Sequence, residues 1–205
     1  MTDHFQDKAA DWDARPTPLQ ISEGVSAAIA EHVPFEAHHT VLDFGAGTGL
    51  LAGKIAPRVK AIVAVDVSPA MLEQLAKKPE LAGKVETVCQ DILAAPLGRT
   101  VDGVVSAMAM HHVQDTRALA RVLFAHLAPG GRVALADLDA EDGSFHPPGT
   151  EGVYHAGFDR AALEAILRDA GFEGVRFVTA CTVTKEERRY PIFLATAVKP
   201  ARGAA

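Results

Sequence analysis

Val41-Leu42-Asp43-Phe44-Gly45-Ala46-Gly47-Thr48-Gly49 is the stretch on which the reading of this chain turns. A short apolar run over 39–44 enters a turn with glycine at every second position, and helical periodicity follows over 49–58. Glycine allows positive φ and lets a ligand approach the main chain closely. The free N–H groups at the start of the following helix, near Gly49 to Leu51, can face a polar or anionic ligand group. A dinucleotide fingerprint would place its third glycine three residues after the second. That position is Leu50, and the third glycine is Gly49 instead, a spacing that favours a nucleoside without a pyrophosphate.

Outward from this turn, strand and helix patterns alternate. Strands are expected over 60–66, 84–89, 102–107 and 132–138, with helices over 70–77 and 115–127. Ser68 is a natural N-cap with Pro69 at the first helical position. Pro129-Gly130-Gly131 ends the second helix and turns the chain into the next strand. A helix over 160–170, capped by Asp159 and closed by Gly171, leads into two strands, 175–184 and 190–198. Their short charged connection, 185–189, makes them antiparallel, and its tip is read as solvated. The pattern predicts an α/β fold: a Rossmann-like, seven-stranded, mostly parallel sheet with helices on both faces and a C-terminal antiparallel hairpin. Ligands of such sheets bind beyond the carboxyl ends of the strands, where the strand order reverses.

Composition narrows the function classes. The 205 residues fit one domain, and nearly half are hydrophobic, enough for a core without staples. The formal net charge is −6 and no Lys/Arg run exceeds Arg188-Arg189, which argues against a nucleic-acid partner. Cys89 and Cys181 are far apart and sit in apolar or β-branched runs, so they read as buried thiols in a reducing compartment. The N-terminus lacks the basic start and apolar stretch of a secretory signal, and no apolar run reaches the roughly 20 residues of a membrane helix. A cytoplasmic protein without membrane insertion is expected.

Two further acidic residues follow strands. Asp66 closes the second strand, where a carboxylate about twenty positions past a glycine turn can grip both hydroxyls of a ribose. Asp91 follows the third strand beside Ile92. That pair could offer a carboxylate to an adenine amino group and an apolar side chain to its ring, although Asp91 reads equally as a turn or cap residue.

VLDFGAGTG, AVDVSPAML, CQDILAAPL, VDGVVSAMAMHHV and LAPGGRVALADLD, taken in this order over roughly residues 38–139, closely resemble the class I S-adenosylmethionine-dependent methyltransferases. Within that family the chain looks most like the small-molecule branch containing ubiquinone and menaquinone C-methyltransferases. The resemblance implies a cap segment and helix over 1–38, a class I methyltransferase domain over 39–198 and a frayed tail over 199–205. It implies S-adenosyl-L-methionine as cofactor and S-adenosyl-L-homocysteine as product. Asp43 with Gly45, Ala46, Gly47, Thr48 and Gly49 would hold the methionine part, and Asp66 the ribose. Val67 and Met71 would flank the adenine, with Asp91 and Ile92 on its amino group and ring. Ser106, Ala107, Met108 and the residues on to His111 would line the sulfonium side. Trp12 belongs to a segment expected to fold over the cofactor, although it could equally be a core anchor.

Methyl transfer from a sulfonium depends chiefly on placement, and a base is needed only where the acceptor arrives protonated. Candidate bases are His111, His112, His146 and His155, with Tyr154 nearby. The expected catalytic set is His111, His155 and Tyr154, although a structural hydrogen bond would equally account for His111. His112 is expected to pack. The loop over 140–157, with four glycines and two prolines, reads as an acceptor pocket or lid in which Phe145, Tyr154 and Phe158 exclude water. No catalytic metal is expected, since Ser106-Ala107-Met108 offers no acidic ligand and His146 and His155 lack metal-site spacing. The acceptor is expected to be a small molecule. A nicotinamide-dependent oxidoreductase and a non-catalytic cofactor-binding module are the competing readings, and the sequence is silent on oligomeric state.

Overall fold

The computed structural model describes residues 3–201; the remainder of the expected tail, 202–205, lies outside the described residues. After a 3-10 segment, Gln6–Ala14, the chain forms α1 (Pro16–His32), β1 (Thr40–Phe44), α2 (Leu50–Ile55), β2 (Ala61–Asp66), α3 (Pro69–Ala76) and β3 (Val85–Cys89). It continues through β4 (Val101–Ala107), α4 (Thr116–His126), β5 (Leu127–Leu138), α5 (Arg160–Asp169), β6 (Glu173–Lys185) and β7 (Arg188–Val198). The sheet order is β3-β2-β1-β4-β5-β7-β6. β1 to β5 pair in parallel, while β7 runs antiparallel between β5 and β6. The chain winds outward from β1 to β3, then returns to lay β4 on the other side of β1. The order therefore reverses between β1 and β4, and the crevice at their carboxyl ends is where this architecture places ligands.

Strand alternation splits the core in two. Val41, Ile62, Ala64 and Val105 face Ile21, Val25 and Ile29 of α1, Leu51 and Ile55 of α2, and Leu72 and Leu75 of α3. On the opposite face Leu42, Val63, Val104 and Val133 meet Leu119 and Leu123 of α4 and Leu163 and Leu167 of α5. Both faces of the central strands are thus apolar, as a doubly covered parallel sheet requires.

Local chemistry sets the element ends. Ser68, Asp115 and Asp159 cap α3, α4 and α5, accepting from the main-chain N–H of Met71, Ala118 and Ala162. The helix expected over 49–58 stops at Ile55 and tightens into a 3-10 turn, because Pro57 cannot donate to the helical ladder. β5 starts five residues before its expected position, since Leu127 already pairs with Val101. The β6–β7 turn narrows to Glu186-Glu187, both with positive φ (49° and 68°), as a two-residue hairpin connection demands.

Three expectations are corrected. Cys89 is exposed and Cys181 half-buried, because they lie on the two edge strands, β3 and β6, where covering is incomplete. Lys199 is not frayed: its main chain exchanges bonds with Gly130 and Gly131, and its ammonium donates to the carbonyls of Phe124 and Leu127. The hairpin end is not wholly solvated either. Lys185 donates to the carbonyl of Phe145 and lies over its ring, and Arg188 pairs with Asp142 at 2.8 Å. No helix among the described residues is long and apolar enough to cross a membrane.

Candidate functional site

The turn after β1 carries Gly45, Gly47 and Gly49 at φ 69°, 54° and 81°. The N–H groups of Gly45 and Ala46 donate to the carbonyl of Val65, which fixes the turn against the end of β2. A side chain built on Gly47 would meet nothing within 4 Å, so the main chain there borders open space. Asp43 is buried beneath the turn, and its Oδ2 has no hydrogen-bond partner. Burial, reinforced by the charge of Asp66, pushes its carboxyl up to about 7, against a lowering contribution from the Ala52 main-chain N–H. Asp66 accepts from the N–H of Gly47 at 2.7 Å and of Ser68 at 2.9 Å, and burial raises its carboxyl as well. Two carboxylates at neighbouring strand ends, one with a buried unpaired oxygen, suit a ligand that brings an ammonium and hydroxyl donors.

The N–H of Gln90 bonds the carbonyl of Asp66 at 3.0 Å, which sets the loop after β3 beside the loop after β2. Asp91 there accepts from the N–H of Leu93, closing a local turn. Ile92 is fully buried in the α4-side core with Val63 and Val65, Met71 is buried, and Val67 stands half-exposed at the rim.

The N-terminal segment lies over this crevice through bonds that the sequence did not signal. Asp13 accepts from the hydroxyl of Thr48 and pairs with Lys78 at 2.6 Å, and Asp3 accepts from Ser68 Oγ at 2.9 Å. Trp12 is half-buried, with its edge on Phe5 at 5.8 Å and the guanidinium of Arg15 above it. An isolated acidic residue in a polar stretch gives no sequence signal for either aspartate.

On the other side of the reversal, Ser106 is buried and donates to the carbonyl of Phe44 at 2.8 Å. Ala107 borders the core, and Met108 takes a positive φ of 59°, a strained conformation for a side chain-bearing residue. The following 3-10 turn, Met110–His112, lies against β5. His111 is buried there. Its Nδ1 donates to Asp137 at 2.7 Å, and its Nε2 faces Nε2 of His146 at 3.2 Å. His112 packs, as expected: its Nδ1 donates to the carbonyl of Gly152, and its ring lies edge-on to Phe5. Burial and the neighbouring His111 hold His112 down at about 4. His155 commits Nε2 to the carbonyl of Val113 at 2.9 Å and stacks near Phe158, whereas the ring of Tyr154 stands largely exposed. Their main-chain N–H groups both bond the carbonyl of His111. The side chains gathered at one point are therefore Asp137, His111 and His146. In sequence Asp137 reads only as one of several carboxylates near His146 without metal-site spacing, and its pairing with His111 is a long-range contact that no local pattern signals.

The loop over 140–157 is pinned at its ends. Asp139 pairs with Arg160 in a two-point contact at 2.6 and 2.7 Å, and Phe145 and Phe158 are buried. Among the described residues, Glu36, His38 and His39 form the group whose ligand atoms lie within 4.8 Å of one another. It lies in the α1–β1 connection, at the far end of β1 from the glycine turn, with Glu36 and His38 exposed and His39 half-buried.

Residues 41–131 match the family described as a methyltransferase domain. An uncharacterised methyltransferase of Schizosaccharomyces pombe is 29% identical over 170 residues, 74% of this chain and 60% of that protein. The mitochondrial ubiquinone biosynthesis O-methyltransferase of the same yeast is 28% identical over 148 residues, 66% of this chain and 54% of its own length. The chain thus spans little more than half the length of these curated relatives. The N-methyltransferase NodS from Bradyrhizobium japonicum, solved with S-adenosyl-L-homocysteine, superposes with a TM-score of 0.71 over 97% of this chain and 100% of its own at 17% identity, a likeness of fold. Residues 41–131 thus match a methyltransferase domain, and motif order and sheet topology agree in making the chain similar to the class I S-adenosylmethionine-dependent methyltransferases.

Proposed function

We propose that this protein transfers the methyl group of S-adenosyl-L-methionine to a small-molecule acceptor. The observation that carries the reading is the buried, unpaired Oδ2 of Asp43 beneath the glycine turn, one strand away from Asp66. Leaving such an oxygen without a partner is costly, and a ligand ammonium offsets that cost directly. Asp43 would hold the ammonium of the methionine part beside Gly45 to Gly49, and Asp66 the ribose hydroxyls. Val67, Met71, Asp91 and Ile92 would border the adenine, while Ser106, Ala107, Met108 and His111 would line the side where the methyl group lies. The bound cofactor would supply a methyl group on a positively charged sulfur, open to in-line attack. The protein's own part is placement and exclusion of water, with Trp12 and Phe5 covering one side and the pinned loop over 140–157 the other.

The acidic net charge and the lack of an extended basic run favour a small acceptor over nucleic acid. The two free thiols fit a reducing, cytoplasmic setting. Likeness to the yeast ubiquinone biosynthesis O-methyltransferase supports the small-molecule branch. Calorimetric titration with S-adenosyl-L-homocysteine and with NADH tests the assignment. Saturable binding of the first alone is expected, and binding of NADH alone would replace the reading with an oxidoreductase. Binding without release of S-adenosyl-L-homocysteine across a broad acceptor panel would favour a non-catalytic module.

A further inference from the structure

Within the methyl-transfer reading, on which this inference rests, the histidine facing the acceptor is not the one nearest the cofactor strands. His111 is only 1% exposed, and both of its ring nitrogens are engaged, by Asp137 and by His146. Neither nitrogen is free to take a proton directly from an acceptor. His146 is half-buried, comes from the loop over 140–157, and uses Nε2 toward His111. We infer that His146 is the base that takes the proton of a hydroxyl or thiol acceptor, with the buried Asp137–His111 pair as its positioning and charge-bearing support.

The hydrogen-bond chemistry fixes the direction. Asp137 can only accept, so His111 carries its proton on Nδ1 and presents a lone pair at Nε2. His146 must then donate from Nε2, which leaves its lone pair on Nδ1. In the transfer step the acceptor's O–H or S–H proton passes to Nδ1 of His146 while the acceptor's electron pair forms a bond to the methyl carbon. The methyl–sulfur bond breaks, and its electrons stay on sulfur. The Nε2 proton of His146 moves to Nε2 of His111, so the new positive charge ends beside the Asp137 carboxylate. That endpoint matters because the surroundings of His146 oppose a charge held on its own ring. Burial, His111, His112 and Lys185 all press it down, to about 4, against the attraction of Asp137. Relaying the proton inward puts the charge where a carboxylate stabilises it. Neighbouring contacts hold the loop so that His146 keeps this position. Phe145 packs on both His146 and Tyr190, Lys185 bonds the Phe145 carbonyl, and Ser144 bonds the Tyr190 hydroxyl.

The test uses the full chain with tritiated S-adenosyl-L-methionine and a panel of phenols and thiophenols as probes, alongside imidazole 15N correlation spectra of histidine-labelled protein. A phenol that ionises near pH 10, as tyrosine does, needs a base, whereas a thiophenol already ionised at neutral pH does not. General-base contributions are about 10²–10⁴-fold, so His146→Gln is expected to slow phenol methylation by at least about 100-fold and thiophenol methylation by less than about threefold. Equal losses on both probes, no loss, or turnover of amine acceptors alone would overturn the inference. The spectra decide even without turnover. The proton of His111 is expected on Nδ1 and that of His146 on Nε2, with Asp137→Asn shifting the titration of His146; a His146 signal unchanged by that substitution overturns the relay. Failure of the wild-type protein to bind S-adenosyl-L-homocysteine would instead count against the methyl-transfer reading itself.

Discussion

Asp66 Oδ2 accepts the main-chain N–H of Gly47 at 2.7 Å, so one carboxylate ties the end of β2 to the middle of the glycine turn after β1. Its other oxygen takes the N–H of Ser68 at the start of α3. The same group that organises the turn is the one proposed to hold the ribose, and on that proposal removing it should weaken the ligand more than the fold. Charge-assisted hydrogen bonds contribute about 1.5–3 kcal/mol each. Asp66→Ala is expected to lower affinity for S-adenosyl-L-homocysteine by about 10- to 100-fold in calorimetry while far-UV circular dichroism stays unchanged. An affinity within twofold of wild type would remove Asp66 from the site.

Asp43 is expected to make stability and binding depend on pH in opposite senses. Its carboxyl rises to about 7 in the folded protein from 3.8, chiefly through burial and then through Asp66. A raised folded-state value means that the native state binds the proton more tightly than the unfolded chain. The stabilisation it contributes is therefore complete below about 3.8 and is lost as pH rises through about 7. Asp43→Asn should raise the melting temperature of the unliganded protein at pH 8 and leave less difference at pH 5. A cofactor ammonium reverses the preference, because it favours the charged carboxylate. Affinity for S-adenosyl-L-methionine should rise with pH between about 5 and 7, with proton release visible as buffer-dependent calorimetric heats. Binding that is flat across this range would separate Asp43 from the ammonium.

The sequence made the turns proposed to hold the cofactor legible and left the cluster around His111 obscure, for a physical reason. Asp43, Asp66 and the three glycines occupy strand ends and turns whose backbone is dictated by local residues, so order and spacing alone locate them. The Asp137–His111–His146 cluster is assembled from long-range contacts between elements with no fixed spacing. Asp137 lies near the end of β5, His111 in the turn after β4, and His146 in a loop whose path depends on Arg160, Lys185 and Arg188. His155, expected among the catalytic groups, spends its Nε2 on the carbonyl of Val113, a partner visible only in three dimensions. Cys89 and Cys181 illustrate the same limit: apolar neighbours in sequence do not say which strand becomes an edge.

The N-terminal segment should behave as a releasable cover. Asp13 alone joins it to both Thr48 in the glycine turn and Lys78 after α3, and partly exposed pairs of this kind are worth about 1 kcal/mol or less. Trp12 is the only tryptophan in the chain, so intrinsic fluorescence reports this segment directly. Adding S-adenosyl-L-homocysteine is expected to shift Trp12 emission. Asp13→Ala should speed hydrogen exchange over residues 6–14 and accelerate ligand association by several-fold, with little change in melting temperature. Exchange that remains as slow as in the wild type would show that packing, rather than Asp13, holds the segment.

Gly45 and Gly47 lie two residues apart in the same turn, yet alanine should act on them through different terms. At Gly45 a Cβ would come within 2.2 Å of the Cβ of Ala109, on top of a φ of 69°, so the loops after β1 and β4 must separate. At Gly47 a Cβ meets nothing within 4 Å, and the penalty reduces to the left-handed backbone, about 1–2 kcal/mol for a residue bearing a side chain. At about 2–4 °C per kcal/mol for a chain of this size, Gly47→Ala should lower the melting temperature by only a few degrees, and Gly45→Ala by clearly more. Cofactor affinity should fall by at least tenfold in Gly47→Ala, because the added methyl group projects into the space the ligand needs. Thermal melts with and without S-adenosyl-L-homocysteine check both: the ligand-induced stabilisation should shrink in Gly47→Ala out of proportion to its small intrinsic loss. If the two variants lose stability equally and Gly47→Ala keeps the full ligand shift, the open space at Gly47 is not where the cofactor lies.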